Sequence, residues 1–466
     1  MTENTPSDLT IEKNLDKWLS YIENIHNQEI DLGLKRISEV ARRLEINLNF
    51  AEVITVAGTN GKGTTCAFLE NTLLSNQLSV AVYSSPHIQN FNERLRLNKK
   101  DVQSQSFIEA FELIEEVRGD ISLSYYEFTT LAAFVVLMQS KPDVIILEVG
   151  LGGRLDATNI IDADIAVITT IDLDHQAFLG NTRELIGAEK AGIMRSNQYI
   201  VVGDNSPPAS VLKKAQTVYP IKDDFINQVK VKNKVFFNTQ LAIDNVDSKA
   251  VWNWVYKDER NNTEHVIEGL KQTHIPQDNV ATALMVLWHL KSKYQLLLNT
   301  ESINENIDRT RVPGRTEIFP LTCAIHRDNK ANIHLNSDVM LDVAHNPQAS
   351  RYLAGKIKSL LKQKQYSKVN AVVGMLVDKD ISATLSALSD VIDKWYIAPT
   401  KAPRAADIEM LKSKLPNEIK SFNCFDNISQ AFKIANTDIQ SDELLLVFGS
   451  FFTVAEVRAL LVDQSE

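Results

Sequence analysis

Residues 53–66 read VITVAGTNGKGTTC: an apolar β-branched run, a glycine-rich turn and the start of a helical stretch in unbroken succession. No other feature of the chain narrows its fold so far. Gly58, Gly61 and Gly63 free the backbone between strand and helix to aim consecutive N–H groups at one anion. Lys62 adds a point charge, and a helix N-terminus contributes about half a positive charge more. The spelling departs from G-x-x-x-x-G-K-[ST], because Val56 stands where the first glycine belongs and Gly63 follows Lys62. Taken alone, the stretch admits two readings. It is a phosphate loop with Thr64 or Thr65 placing a hydroxyl on Mg2+, or a glycine-rich turn with a solvated lysine.

The same alternation continues downstream. Strands are expected at 53–57, 80–83, 144–149, 165–171 and 200–203, with helices at 64–76, 104–117, 127–140 and 182–191. Runs that are apolar on both faces and alternate with helices indicate a parallel sheet covered on two sides. Residues 232–268 are aromatic and alternating, and read as a β-hairpin insertion or small sheet. A helix is expected at 279–293, and RTRVPGRTEIF (309–319) reads as an inter-domain linker. A second α/β set follows, with strands at 339–344, 371–375, 394–398 and 444–449. At 466 residues the chain is too long for one ordinary core. The expected class is α/β: an N-terminal, phosphate-loop-type, mostly parallel domain over 1–308, with a small β insertion at about 230–270. A boundary near 308–316 and a linker at 309–318 lead to a smaller Rossmann-like α/β domain over 319–466.

A formal charge of -10 gives no footprint for a phosphate backbone, so no nucleic-acid partner is expected. The first 25 residues carry acids and no continuous apolar stretch, unlike a signal peptide. No run approaches the roughly 18 apolar residues of a membrane span. Cys66, Cys323 and Cys424 form no metal spacing and no even disulfide set. A reduced, soluble, cytoplasmic protein without a membrane partner is expected.

Two further stretches follow strands. EVGLGGRLDATN (148–159) places Glu148 at a strand's end, where a carboxylate can bind a metal. TTIDLDHQAFLGNTRELIGAEKAGIMR (169–195) places His175 after Asp172 and Asp174, with Glu189 and Lys190 on the next helix. Each has a plainer reading: a structural histidine, a salt-bridged helix lysine. Asp342, in LDVAHNP, reads equally as a helix cap.

GTNGKGT, YSSPH with FNERLRLN, EVGLGGRLDATN, DHQAFLG, EKAGI, PGR and DVAHNP stand in the order found in folylpolyglutamate synthases. The chain most resembles the bacterial bifunctional form that is also a dihydrofolate synthase, within the Mur ligase superfamily. The resemblance runs from about residue 28 to residue 460. It implies an ATP-dependent ligase in which a substrate carboxylate takes the γ-phosphate of MgATP, and the amine of L-glutamate then displaces phosphate. Such chemistry needs a neutralised phosphoryl group and a site closed to water. The implied substrates are dihydropteroate, reduced folates and L-glutamate. The implied cofactors are MgATP with two Mg2+ ions, and the family is often monomeric and activated by K+.

Carried over residue by residue, the resemblance implies catalytic roles for Lys62, Lys190 and His175. It implies nucleotide contacts from Gly58, Thr59, Asn60, Gly61, Lys62, Gly63, Thr64, Asn279, Arg315, Asp342 and His345. The metal shell would be Thr64, Ser85, Glu148, His175 and Lys190, the lysine as a carbamate. A histidine on Mg2+ is unusual by hardness, so that ligand rests on the resemblance. The pterin would meet Asp31, Leu32, Gly33, Tyr125, Tyr126, Glu127, Leu155 and Asp156, with Tyr126 stacking on its ring. Ligands drawn from both domains imply that domain closure completes the site. Two departures stand out: IPQD precedes Asn279 where the family often has His-Gln, and RLNKKD (96–101) lacks the usual Asn-Gly. The alternatives are a monofunctional folylpolyglutamate synthase, a Mur-type ligase, a phosphotransferase with the same loop, or an inactive nucleotide-binding regulator.

Overall fold

The apolar runs form strands whose side chains alternate between two cores. In β1 (Glu52–Ala57), Ile54 and Val56 face one core and Val53 the other. In β2 (Val80–Tyr83), Val80 and Val82 part from Ala81 and Tyr83 in the same way. Both faces are buried, so no polar alternation marks these strands in the sequence. The structure, a computed structural model, describes residues 14–28, 30–221, 229–231, 237–238, 251–258, 263–272, 274–322 and 334–462. Cys323 and parts of the 232–268 stretch lie outside the described residues.

Two units make up the chain. One holds residues up to Ile171 together with Arg183–Thr310; the other holds Asp172–Thr182 together with Arg311 onward. The sequence alone places a single boundary near 308–316 and leaves residues 172–182 in the N-terminal domain. Nothing in their composition distinguishes which unit they pack with.

The first unit is built on an eight-stranded sheet. Its further strands are β3 (Leu95–Leu97), β4 (Lys100–Asp101), β5 (Val144–Glu148), β6 (Ile165–Ile168), β7 (Tyr199–Val202) and β8 (Val229–Val231). The order is β4-β3-β2-β5-β1-β6-β7-β8, parallel from β2 to β8, with β3 and β4 added antiparallel at one edge. β1 therefore runs between β5 and β6, with Val56 beside Glu148 and Ala57 beside Ile168. Three strands end side by side, which is where an open α/β sheet offers a ligand crevice.

The Lys62–Ser75 helix is buried on nearly every side, because the Gln277–Tyr294 helix covers the face turned away from the sheet. A small antiparallel sheet of β9 (Phe237–Asn238), β10 (Val251–Asp258) and β11 (Thr263–Lys271) packs there too. Trp252, Trp254 and Tyr256 alternate inward from β10, and Trp254 Nε1 donates to Ala281 O at 3.3 Å.

The second unit has six strands: β12 (Glu317–Phe319), β13 (Asp338–Asp342), β14 (Val369–Val373), β15 (Lys394–Ile397), β16 (Phe422–Cys424) and β17 (Leu444–Phe448). Their order is β12-β13-β17-β14-β15-β16, parallel but for β12. The stretch read as linker thus ends in an edge strand of this sheet. Among the described residues, no helix is long and apolar enough to cross a membrane.

Candidate active site

Gly58–Gly61 leave β1 and are stitched to the end of β6. Thr59 N donates to Thr170 O at 2.7 Å, and the hydroxyls of Thr169 and Thr170 donate to Asn60 O at 2.7 and 3.1 Å. Two glycines are required by geometry. A Cβ at Gly58 would sit 1.8 Å from Thr169 Oγ1. Gly61 has φ +90°, and a Cβ there would lie 2.4 Å from Asn279 Oδ1.

Two ammonium groups meet on one carbonyl. Lys62 Nζ donates to Gly58 O at 3.0 Å, and Lys190 Nζ, buried, donates to the same oxygen at 3.0 Å. Lys190 reaches the loop because its helix (Arg183–Lys190) lies against the GLGGR turn. Arg154 N donates to Glu189 O at 2.8 Å, and a Cβ at Gly153 would strike Glu189 O and Lys190 O at 2.9 Å. The buried Glu148 carboxylate lies 3.8–4.0 Å from where a Gly63 Cβ would be. Asn279 Nδ2 donates to Thr64 Oγ1, and that hydroxyl donates to Gly61 O at 3.1 Å. Thr65 is fully buried, so Thr64 is the hydroxyl at the loop.

These donors fit a polyphosphate: two ammonium groups and a helix N-terminus on one turn. They fit a divalent cation as well, through Glu148 and the Thr64 hydroxyl. Among the described residues, no group of three or more His, Cys, Asp or Glu converges to hold a metal.

A second group lies beyond β2 and β5 in the same unit. A Cβ at Gly150 would be 2.8 Å from Tyr126 Oη and 3.1 Å from Ser85 Oγ, so these three residues meet. Tyr126 Oη donates to Asp156 Oδ1 at a long 3.5 Å, and its ring stacks on Tyr83 at 6.3 Å. Asp156 also caps Ala157–Ile160, accepting from Leu151 N, Thr158 N and Thr158 Oγ1 at 2.7–3.0 Å. Burial pushes both the Asp156 carboxyl and the Tyr126 phenol up.

Arg36 joins two other residues singled out by the sequence, with 2.7 Å to Asp31 and 3.2 Å to Glu127. Glu127 completes a capping box with Ser124 at the start of the Tyr125–Ser140 helix. Beside Gly33 there is open space, while Leu32 and Leu155 are half-buried.

The sequence reading missed Arg94 and His87. The Arg94 guanidinium lies 5.4 Å from the Tyr125 ring and 5.7 Å from the Phe91 ring, and its Nε donates to His87 Nδ1 at 2.9 Å. Burial, then the charge of Arg94, lowers His87 to about 4. Both stand in motifs that carried the resemblance, and that was the only sequence signal for them.

In the second unit, Asp342 ends β13 and accepts from Thr316 N and Ala344 N, both at 2.8 Å. Burial raises its carboxyl, opposed by the charge of Arg315, whose guanidinium lies 5.4 Å from the Phe451 ring. His345 follows in the turn, and Asn346 caps the Pro347–Lys362 helix. His175, at φ +49°, opens the short Gln176–Leu179 helix within the 172–182 segment. Its neighbour Asp174 is buried and meets His345 Nε2 at 3.3 Å, Asn346 Nδ2 at 3.3 Å and Lys379 Nζ at 2.6 Å. Lys379 and Phe451 also escaped the sequence reading; each acquires its partners only through the tertiary fold.

Family models match twice: the Mur ligase middle domain over 56–222, and the Mur ligase glutamate ligase domain over 331–451. The dihydrofolate synthase/folylpolyglutamate synthase of Escherichia coli K12 is 40% identical over 447 residues, covering 96% of this chain and 95% of that protein. A solved structure of Escherichia coli FolC in complex with DHPP and ADP has a TM-score of 0.80 at 40% identity, covering 96% of this chain and 97% of that one. The Yersinia pestis bifunctional enzyme complexed with AMPPNP and Mn has a TM-score of 0.79 at 39% identity, covering 96% and 98%. Fold and loop together define an ATP-dependent, amide-forming ligase of the Mur type. Within that class, the chain belongs to the dihydrofolate synthase/folylpolyglutamate synthase family.

Proposed function

We propose that the chain joins L-glutamate to 7,8-dihydropteroate and adds further glutamates to tetrahydrofolate, at the expense of ATP. The observation that carries this reading is the convergence of Lys62 and Lys190 on Gly58 O, with Glu148 against Gly63. The names of the relatives support it, as does a related structure holding Mn, AMPPNP and L-glutamate.

On this reading Lys62, the 58–63 backbone and the helix N-terminus hold the β- and γ-phosphates and neutralise charge as phosphate transfers. The substrate carboxylate forms a bond to the γ-phosphorus as the bond to ADP breaks. The glutamate amine then attacks the acyl carbon, the carbon–oxygen bond to phosphate breaks, and the amine loses its proton. Thr64, Ser85, Glu148 and His175 would hold two Mg2+ ions, which supply charge neutralisation when bound. Lys190 would join them as a carbamate, adding an anionic oxygen ligand in place of the ammonium that meets Gly58 O in the structure. The pterin lies on the Tyr126 side, with Asp31, Leu32, Gly33, Tyr125, Glu127, Leu155 and Asp156 around it. Asn279, Arg315, Asp342 and His345 contribute further nucleotide contacts. A monomeric cytoplasmic enzyme activated by K+ completes the proposal.

Radiolabelled glutamate incorporation tests it, with MgATP and either dihydropteroate or tetrahydrofolate as acceptor. Incorporation into both, with stoichiometric ADP and phosphate, supports the bifunctional ligase. Incorporation into tetrahydrofolate alone makes it a monofunctional elongating enzyme. Transfer of phosphate without glutamate makes it a phosphotransferase. Lys62→Ala should abolish turnover and leave the thermal melt unchanged; near-normal turnover removes the phosphate-loop reading.

A further inference from the structure

The 172–182 segment is a strap. It leaves the first unit after Ile171, packs with the second, and returns at Arg183. Both ends are held in the first unit by one clasp: Arg183 donates to Ile171 O at 2.8 Å and pairs with Asp204 at 3.2 Å, and Asp204 accepts from Ile171 N at 2.7 Å. Between those fixed ends the strap carries one deeply buried carboxylate, Asp174. No role for it follows from the ligase reading.

Asp174 gathers two turns of the second unit onto the strap. Its Oδ1 takes the ammonium of Lys379 at 2.6 Å, from the loop after β14, and Lys379 is itself buried, with a side chain 7% exposed. Its Oδ2 faces His345 Nε2 at 3.3 Å and Asn346 Nδ2 at 3.3 Å, both in the turn after β13. Asp174 Oδ1 also accepts from the backbone N–H of His175 at 2.8 Å, holding that residue in its left-handed conformation. The far side of the His345 ring is fixed as well, Nδ1 lying 2.7 Å from Val343 O. By contrast, the neighbouring Asp172–Arg351 pair sits near the surface, with Arg351 61% exposed.

We propose that Asp174 is the positioning residue of this ligase, locking His175 and His345 into one rigid arrangement, and that Lys379 is its obligatory buried counter-charge. A carboxylate that touches both the strap and the 343–346 turn couples two histidines far apart in the chain. The inference rests on the ligase reading, which gives both histidines their work.

The test uses the full-length protein with MgATP, dihydropteroate and L-glutamate, kcat being normalised to the fraction that binds ATP. Asp174→Asn should lower kcat on the order of 100-fold, as displacement of reacting groups by about 1 Å does. In a His345→Gln background the same change should cost about tenfold or less, the part that acts through His345 being already lost and only that through His175 remaining, because residues acting as a unit are non-additive. A purely structural role would instead multiply the two losses. Should Asp174→Asn fail to fold, Lys379 decides: Lys379→Met should lose activity and Lys379→Arg should regain most of it. Asp172→Asn, on the same strap, should stay within about twofold of the unaltered protein. Near-normal kcat in Asp174→Asn, multiplicative losses in the double variant, or equal activity of the Lys379 Met and Arg variants overturns the proposal. If the unaltered protein itself incorporates no glutamate, the ligase reading has failed instead.

Discussion

Glu148 is buried and His87 half-buried, and they answer to different perturbations. Glu148 sits where the β5 carboxylate meets the loop that follows β1, 3.8–4.0 Å from the Cβ position of Gly63. Glu148→Gln keeps the shape and removes the charge. Activity should drop and be partly restored by excess Mg2+, measured as ADP release against metal concentration; no response to metal would leave Glu148 a structural residue. His87 has its folded value lowered from 6.5 to about 4, by burial first and then by Arg94. The ring is neutral in both states above 6.5. As pH falls from 6.5 towards 4, the unfolded chain takes up a proton that the folded one refuses, so stability is lost across that window. The loss is about 1.4 kcal/mol per pH unit. Melting curves of His87→Gln should fall less steeply from pH 6.5 to 4 than those of the unaltered protein, and parallel curves would exclude the effect. Lys62 and Glu148 were legible as candidates because each stands in a motif tied to a strand end, whereas Lys190, on a helix, was singled out only by the resemblance. Lys379 was not, because its partner lies 205 positions away, and Arg94 was not, because ring contacts leave no periodic mark.

The helices expected at 127–140 and 279–293 begin two residues earlier, at Tyr125 and Gln277, for different reasons. Ser124 and Glu127 bond reciprocally, Ser124 N to Glu127 Oε2 at 2.8 Å and Glu127 N to Ser124 Oγ at 3.3 Å. SYYE, singled out by the resemblance as a pterin contact, is thus also a helix cap, and the ion pair with Arg36 shows that its glutamate ties the Lys35–Arg43 helix to this cap as well. Ser124→Ala should cost about 1 kcal/mol of stability. Denaturant melts check this, and an unchanged midpoint would mean that Glu127 holds the helix start by itself. The edge strand β12 was hidden inside the apparent linker, because three residues pairing antiparallel with β13 carry too little pattern to announce a strand.

For the molecule as a whole, the α/β class and its mostly parallel sheets followed from runs that are apolar on both faces, whereas the order of strands within each sheet left no mark in the sequence. The path between units did not. Periodicity reports that a segment is buried, but not which sheet buries it, so the strap was assigned by proximity in sequence. Its loss should matter. Residues 311–466 made alone lack Asp174, leaving the Lys379 side chain without that carboxylate; removing one partner of a buried ion pair typically costs several kcal/mol. A synthetic 172–182 peptide should therefore raise the melting temperature of that fragment, and an Asp174→Asn peptide should not. Equal shifts from the two peptides would sink the idea.

The strap also has a history that the finished fold conceals. Asp174 emerges from the ribosome 205 residues before Lys379, which at typical elongation rates is about 10 to 40 s. For most of that interval the nascent chain holds a carboxylate whose partners in the second unit, His345, Asn346 and Lys379, have not yet been made, between ends that Arg183 and Asp204 can clasp once Asp204 is synthesised. The second unit, in turn, completes its fold around a piece of chain synthesised long before it. Two units that share chain in this way are not two beads on a string, and synonymous changes that slow elongation between codons 204 and 379 would lengthen the interval in which the clasped strap waits for its counter-charge.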